Sequence, residues 1–283
     1  MHLQATATRA ATLLARNPML FCQVMLAKLN STRPMPALPA RKRIGKIVLE
    51  YDLAGYRGTA PMYFGSYSLL VVNAMRRILR PGGVFVDVGA NIGYLSAVAA
   101  DLVGPTGQVH AFEPVPEYLE KLRRLAALNP QYSIQLNACA AGEAFGAQQI
   151  YVAREPGQST LVPSYKSDAE IASSRTVAVV RLDAYLAERK IARVNLIKID
   201  AEGFELPILQ GTRRCLETEP HRPVIVCEIA PRAYPLIGRQ ISELRDFMAS
   251  YGYTPRDLAD GKTPVDITTL QHVEDVLFVA EES

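Results

Sequence analysis

The sequence lacks three features that would place it in a special class of protein. Its four cysteines show no CxxC spacing, which argues against a zinc site or a disulfide framework and favours reduced, mostly buried thiols. No run reaches the ~18 consecutive apolar residues that a membrane-spanning helix needs. A secretory hydrophobic region with a small-residue cleavage site is also missing. We therefore expect a cytoplasmic protein.

An excess of charge of one sign is missing from most of the chain. The 283 residues carry a formal net charge of +3 at pH 7. Residues 1–50 hold eight basic residues and one acidic residue, whereas the rest of the chain holds 23 basic and 27 acidic residues. A slightly acidic body does not have the basic surface that nucleic-acid binding requires, so we expect no nucleic-acid partner.

The basic N-terminal segment is a candidate helical arm. Residues 1–30 contain no acidic residue, and after Pro18 apolar residues recur at helical spacing. A stiff proline-containing linker follows at 33–39. Three interpretations of residues 1–30 stay open: a packing or homodimerisation helix, a basic amphipathic helix that associates with a membrane surface, and a cleavable organelle transit sequence. We divide the chain into this arm and linker, 1–45, and one α/β domain, 46–283.

From residue 46 onward, segments rich in β-branched and aromatic residues alternate with helical patterns. This alternation favours a doubly wound α/β sheet. The polar section 142–175 is interrupted by glycine and proline, and its loop at 157–160 is either a substrate lid or disordered. We predict strands at 46–51, 84–88, 109–112, 134–139, 149–152, 177–182, 194–200, 224–229 and 276–280.

The stretch 84–93 is the strongest candidate for a binding site. Asp87 lies at the end of a buried strand, and Gly89 removes a side chain where the backbone turns into a helix. Glu113 ends the next strand, 24 residues past Gly89, where a carboxylate that accepts ribose hydroxyls belongs. Asn91 stands where the dinucleotide-binding pattern needs its second glycine, so its side chain would crowd a pyrophosphate. These residues favour a ligand with a ribose and no phosphate, such as S-adenosylmethionine.

Each of these acids also has a plain structural interpretation. Asp87 alone could be a helix-capping or buried hydrogen-bonded acid, and Glu113 before a proline could simply end its strand. Their spacing on a predicted βαβ unit favours the cofactor interpretation, because Asp87 can also favour the positive charge of a sulfonium.

Four stretches together resemble the FkbM family of S-adenosylmethionine-dependent methyltransferases. They are VDVGANIGY at 86–94, VHAFEP at 109–114, LN at 128–129 and IKIDAEGFEL at 197–206, and the last is the most specific. The resemblance implies a Rossmann-like, doubly wound, mostly parallel seven-stranded sheet with an antiparallel last strand at 276–280. It also implies methyl transfer, usually to a hydroxyl of a sugar, a glycan or another small metabolite.

The residues that we predict to bind this cofactor lie in these motifs and at the ends of neighbouring strands. The chain departs from the family at Ser68, where members often carry glutamate. The predicted cofactor-binding residues are Asp87, Gly89, Ala90, Asn91, Gly93, Tyr94, Glu113, Pro114, Asn137, Ala138 and Asp200.

Three acids are predicted to serve the chemistry at the same edge of the sheet. An alcohol acceptor must lose a proton, and a positioned base accelerates such a step by ~10²–10⁴-fold. Asp200 ends one predicted strand, Glu202 follows it, and Glu228 lies near the end of the next strand. We expect them to converge, with Asp200 as the base or acceptor-positioning group. The same acids could instead hold a divalent cation that acidifies the hydroxyl.

Two other polar residues in these motifs have structural interpretations. We interpret His110 as a core histidine, and Glu205 as solvated or paired with Lys198 on its helix.

A cofactor-binding partner subunit without activity is the first alternative to an O-methyltransferase. A nicotinamide-dependent oxidoreductase is the second, and Asn91 disfavours it.

Overall fold

The computed structural model describes residues 18, 21–22, 25, 41–50, 62, 67–155, 157–217 and 221–281. Nearly all of the predicted arm before residue 41 lies outside these residues, so its three interpretations stay predictions. Among the described residues, no helix is both long enough and apolar enough to cross a membrane.

Strands and helices alternate along most of the described chain. The strands are β1 (Arg41–Ile44), β2 (Ile47–Glu50), β3 (Val84–Val88), β4 (Gln108–Phe112), β5 (Ser133–Asn137), β6 (Ala140–Ala141), β7 (Gly146–Ala153), β8 (Ile171–Val180), β9 (Leu196–Ile199), β10 (Val224–Ile229), β11 (Tyr253–Asp257) and β12 (Glu274–Ala280). The α-helices are α1 (Leu69–Ile78), α2 (Tyr94–Val103), α3 (Pro116–Leu128), α4 (Leu182–Glu188), α5 (Glu205–Gln210), α6 (Arg213–Glu217) and α7 (Ile241–Ser250), with 3₁₀ turns at Pro231–Ile237 and Ile267–Thr269.

Seven strands form the central sheet in the order β11-β12-β10-β9-β3-β4-β5. Strands β10, β9, β3, β4 and β5 are parallel, and β12 is antiparallel to both of its neighbours. The predicted Rossmann-like, mostly parallel sheet with an antiparallel last strand is confirmed.

Helices cover both faces of this sheet, which explains why its central strands are mostly apolar. Phe85 and Leu196 pack in one core with α1, α2 and α3. Val86 and Ile197, one residue further along the same strands, pack in a second core with α4, α5 and α7. Successive side chains of a strand point to opposite faces, so Asp87 of β3 lies on the α2 side.

Two glycines bring backbone and helices close together around β3. Gly89 has φ +79°, and a Cβ there would overlap the carbonyl oxygen of Asp200. The turn after β3 therefore touches the end of β9 directly. Gly93 has φ +87°, and a Cβ there would lie 2.8 Å from methyl groups of Leu122 and Leu125. Its missing side chain lets the start of α2 pack against α3.

The predicted first strand, 46–51, is the second strand of a separate hairpin. Strands β1 and β2 pair antiparallel and form a two-stranded sheet outside the central one. The predicted division between residues 45 and 46 falls in the turn of this hairpin. Asn129, just after α3, holds β2 in place: its side chain accepts a bond from Val48 N at 2.8 Å and donates to Val48 O at 2.8 Å and Leu125 O at 2.7 Å.

Replacing Asn129 with alanine is expected to lower the free energy of unfolding by about 2–3 kcal/mol. The substitution leaves the half-buried N–H and C=O of Val48 and the buried C=O of Leu125 without this partner, and an unsatisfied buried group costs roughly 1–3 kcal/mol. Urea unfolding measures the loss. Gln135→Ala, at an exposed amide of β5, is the control and should stay within about 0.5 kcal/mol of wild type. A loss below 1 kcal/mol for Asn129→Ala would contradict the role of this side chain.

A second sheet forms from the polar section 142–175. It contains β6, β8 and β7 in that order, and β7 and β8 are a long antiparallel pair. The predicted strand 149–152 lies within β7, and the predicted strand 177–182 overlaps the end of β8, but the expectation of a broken loop over the rest of the section was wrong. Residues 171–176 of β8 are exposed or half-buried, so this part of the strand has no apolar signal. The predicted loop at 157–160 is fastened to β7, because Tyr151 and Thr160 exchange two backbone hydrogen bonds of 2.8 and 3.0 Å.

Candidate active site

A cavity of about 880 Å³, open to solvent, lies at the carboxyl ends of β3, β4 and β9. This edge of an open parallel sheet is where ligands bind. The turn after β3 forms its floor, and the second sheet with the segment after β7 forms the opposite wall. Of the described residues that line it, three are acidic (Asp87, Glu113 and Asp200) and none is basic.

Asp87 is buried at the centre of the cavity floor, with 1% of its surface exposed. The hydroxyl of Ser96, in α2, donates a 2.5 Å hydrogen bond to its Oδ2. Burial raises the pKa of Asp87 to about 6, although the Ser96 bond and the charge of Lys198 act in the opposite direction. This carboxylate is therefore ionised at neutral pH and held in one orientation.

Glu113 links the turns after β3 and β4. Its Oε2 accepts the backbone N–H of Asn91 at 2.8 Å, and its Oε1 accepts that of Val115 at 2.8 Å. Each carboxylate oxygen has a second lone pair, so the side chain can still accept two hydroxyls from the cavity. Burial raises its pKa to about 7, and the two backbone bonds oppose the shift. Asn91 itself has φ 51°, a left-handed conformation that asparagine tolerates.

Eight of the eleven predicted cofactor-binding residues line the cavity, and three do not. Gly93 packs against α3 instead, and Asn137 and Ala138 lie outside the lining. Strand β5 ends at Asn137, whose amide is buried and donates to Ala111 O at 3.2 Å. The chain next reaches the cavity at β6, whose two alanines line it.

Sequence reasoning missed the apolar and aromatic wall of the cavity. Tyr67 lines it and packs edge-on against Tyr94, with ring centroids 5.4 Å apart. Tyr118 on α3 and Ile150 on β7 line it as well. The sequence offered a hint only for Tyr67, which directly precedes Ser68, the position where the chain departs from the family. Tyr118 and Ile150 lie on elements that approach β3 in the fold, and no local sequence pattern indicates this approach.

The three predicted catalytic acids do come together. One carboxylate oxygen from each of Asp200, Glu202 and Glu228 lies within 4.8 Å of the others. Asp200 lines the cavity, and its backbone N–H donates to Val88 O at 3.0 Å. The negative charge of Asp200, together with burial, raises the pKa of Glu228 well above its usual value. The cluster thus places three carboxyl groups close together beside the cavity.

Two lysines are paired with this acidic cluster. Lys198 Nζ lies 3.5 Å from Asp200 Oδ2, and Lys166 Nζ lies 3.2 Å from Glu202 Oε2. Two of the three acids therefore already have a cationic partner, which leaves less negative charge for a divalent cation. It stays an untested prediction.

Two residues that the sequence placed near the site are part of the framework. Glu205 is fully buried, and its Oε1 accepts the N–H of Gly203 at 2.7 Å; the expected solvated position or pairing with Lys198 was wrong, since the turn between β9 and α5 needs this carboxylate. Burial raises its pKa to about 7. His110 lies in the core, with its ring nitrogens 2.9 Å from Tyr185 Oη and 3.1 Å from Gln108 Oε1. Burial lowers its pKa to about 4.

The segment 157–166 lies over the cavity and contacts the acidic cluster. Gly157, Ser159 and Leu161 line the wall. Thr160 Oγ1 donates to Glu202 O at 2.7 Å, while Lys166 joins Glu202 to Gln158 Oε1 at 3.1 Å. This placement is the one that a substrate lid requires, and the lid stays a prediction.

Residues 87–255 match the methyltransferase FkbM domain family. The chain is 32% identical over 162 residues to the 31-O-demethyl-FK506 methyltransferase FkbM of Streptomyces tacrolimicus, covering 47% of this chain and 60% of that protein. It is 25% identical over 135 residues to the hexuronic acid methyltransferase AglP of Haloferax volcanii, covering 48% and 52%. The alignments thus span little more than half of each relative. A crystal structure of methyltransferase FkbM from Methylobacillus flagellatus covers 92% of this chain and 59% of its own, at 16% identity and a TM-score of 0.43.

Proposed function

The chain belongs to the FkbM methyltransferase family and is an enzyme, and on that premise we propose that it is an S-adenosylmethionine-dependent O-methyltransferase acting on a hydroxyl of a sugar, a glycan or another small metabolite. The observation that carries this proposal is the charge of the cavity. Its described lining offers three carboxylates and no basic side chain. A cationic nucleoside suits such a lining, whereas a pyrophosphate does not.

The residues of the cavity fit this cofactor. Glu113 has two lone-pair directions left for ribose hydroxyls, and Asp87 supplies a buried negative charge for a sulfonium. Gly89 lines the cavity with its backbone, because the turn there carries no side chain. Ile150, Leu161 and Tyr118 provide an apolar wall for a flat ring. These contacts support the cofactor over a nicotinamide dinucleotide.

The chemistry divides between alignment and proton removal. When bound, the cofactor supplies an activated methyl group. The cavity aligns an acceptor hydroxyl with it, which can contribute roughly 7–11 kcal/mol by positioning alone. Asp200 lies at the cavity edge beside Glu202 and Glu228, and we propose that it takes the hydroxyl proton. The names of the Streptomyces and Haloferax relatives refer to 31-O-demethyl-FK506 and to a hexuronic acid, which supports a hydroxylated acceptor.

Mass spectrometry tests the proposal. The enzyme is incubated with methyl-labelled S-adenosylmethionine and a panel of sugars, glycans and hydroxylated metabolites. We expect one class of acceptor to gain a single labelled methyl group on oxygen. Tight cofactor binding without transfer to any hydroxylated acceptor would contradict the proposal and favour the partner-subunit alternative.

Cofactor affinity is expected to fall at least tenfold between pH 8 and pH 5.5. In the free protein the pKa of Glu113 is about 7 and that of Asp87 about 6, and both are far above their values in an unfolded chain. At pH 5.5 both carboxyls are mostly protonated, and binding must first remove these protons. The same raised values mean that these groups stabilise the free protein most below about pH 4, and that this contribution is lost as the pH rises through 6 to 7.

Isothermal titration calorimetry across this pH range measures the dependence. Glu113→Gln should bind more weakly and with a flatter pH profile. Glu117→Gln, at a mostly exposed acid paired with Arg175, is the matched control and should keep the full dependence. A wild-type affinity that does not change with pH would show that these carboxylates do not face the cofactor.

A further inference from the structure

Lys198 is a buried cation whose role the proposed chemistry does not yet explain. Only 2% of its surface is exposed. Its Nζ lies 3.1 Å from Asp275 Oδ1 on β12 and 3.5 Å from Asp200 Oδ2 at the end of its own strand, and it donates to Ile199 O at 3.2 Å. A lysine is rarely buried this completely unless opposite charges compensate it, so these carboxylates account for its position.

The register of the sheet places a row of charged side chains on one face. Lys198 on β9 is paired with Asp87 on β3, and Glu228 on β10 is paired with Asp275 on β12. Asp200, just after β9, lies on the same side, since its carboxylate is 3.5 Å from the Lys198 ammonium. Four carboxylates, three on strands and one just after β9, thus share one face of the sheet with a single lysine. Glu202 and its partner Lys166 lie at the outer edge of this group.

We propose that Lys198 is a positioning residue beside the part of the cavity where Asp200 would meet the acceptor hydroxyl. It holds the Asp200 carboxylate in place, and its positive charge lets Asp200, Glu228 and Asp275 lie side by side. Asp275 in turn fixes the ammonium from the opposite side. Lys198 acts through Asp200 and does not line the cavity itself. The inference rests on the proposed role of Asp200, but its test needs no methyl acceptor.

The electrostatics agree with this geometry. Burial alone would lower the pKa of Lys198, yet the charges of Asp200, Asp275 and Glu228 raise it well above its usual value. Lys198 lowers the pKa of Glu228, while Asp200 and burial, and to a lesser extent Asp275 and Glu202, raise it. The two partners of the ion pair between Lys198 and Asp275 therefore act on Glu228 in opposite directions.

Substitutions of Lys198 and of Asp275 should shift the pKa of Glu228 in opposite directions, and these shifts distinguish a positioning role of Lys198 from a merely structural one. Protein labelled with ¹³C at the glutamate carboxyls is titrated by NMR, and the Glu228 signal is assigned with Glu228→Gln. Lys198→Met should move the Glu228 midpoint up by at least about one pH unit, since a charge within a few ångströms shifts a pKa by roughly 1–3 units. Asp275→Asn should move it down. Asp246→Asn, on the exposed side of α7, should leave it unchanged.

Shifts in the same direction, or no shift in either variant, would overturn the proposal. If Lys198→Met does not fold, Asp275→Asn must still lower the midpoint. The double variant Lys198→Met/Asp275→Asn removes both charges together and should return the midpoint toward the wild-type value. Because no acceptor or turnover enters these measurements, a failed methyl-transfer assay and a failed positioning role remain distinguishable.

Discussion

Replacing Glu113 with alanine is expected to weaken S-adenosylmethionine binding more than a hundredfold. The substitution removes the acceptor of two buried backbone N–H groups, those of Asn91 and Val115. It also removes both lone-pair directions that face the cavity. A lost hydrogen bond to a charged group costs roughly 1.5–3 kcal/mol, so two such losses exceed the 2.7 kcal/mol or so that a hundredfold change in affinity requires.

Calorimetry with the folded variant measures this loss, and circular dichroism confirms that the variant is folded. Glu117→Ala lies four residues further on, at the start of α3, where its mostly exposed carboxylate is paired with Arg175. This control should bind within about threefold of wild type. If Glu113→Ala also bound within tenfold of wild type, Glu113 would have no direct part in holding the ribose.

Replacing Asp200 with asparagine is expected to lower kcat by ~10²–10⁴-fold and to leave cofactor affinity within a few-fold of wild type. The amide keeps the shape of the side chain but cannot take a proton, and a positioned base is worth about this factor. Steady-state kinetics with an acceptor from the mass-spectrometric panel gives kcat, and calorimetry gives the affinity. Asp260→Asn, in a turn far along the chain that Asp260 stabilises through Thr263, is the control. An unchanged kcat in Asp200→Asn would remove Asp200 from the chemistry.

Residues whose environment is set locally were predictable from the sequence. Strands β3, β9 and β10 are covered on both faces, so each is apolar at every position but one. Gly89 marks a turn that no side chain could occupy, and Asp87 and Glu113 lie where two adjacent parallel strands end. The ends of adjacent parallel strands lie close together because of the topology alone. The grouping of the cofactor acids and of the three-acid cluster could therefore be predicted from the sequence.

Features that depend on contacts distant in the chain could not be predicted. Lys198 and Asp275 are 77 residues apart, so nothing near Lys198 indicates its buried partner. Glu205 is charged and follows a glycine turn, a pattern typical of a solvated helix start, yet it is buried because it binds the Gly203 backbone. The second sheet, from which β6 and β7 line the cavity, has many exposed or half-buried side chains in β7 and β8, so its position depends on pairing between strands and not on apolar periodicity.

A calorimetric titration of the wild-type protein and of Asp87→Ala with S-adenosylmethionine and with NAD⁺ tests whether the cavity binds a sulfonium nucleoside beside Asp87. We expect one-to-one binding of S-adenosylmethionine to the wild type, no measurable binding of NAD⁺, and loss of S-adenosylmethionine binding in Asp87→Ala. Binding of NAD⁺ in preference to S-adenosylmethionine, or full retention of affinity without the Asp87 carboxylate, would contradict this assignment of the cavity.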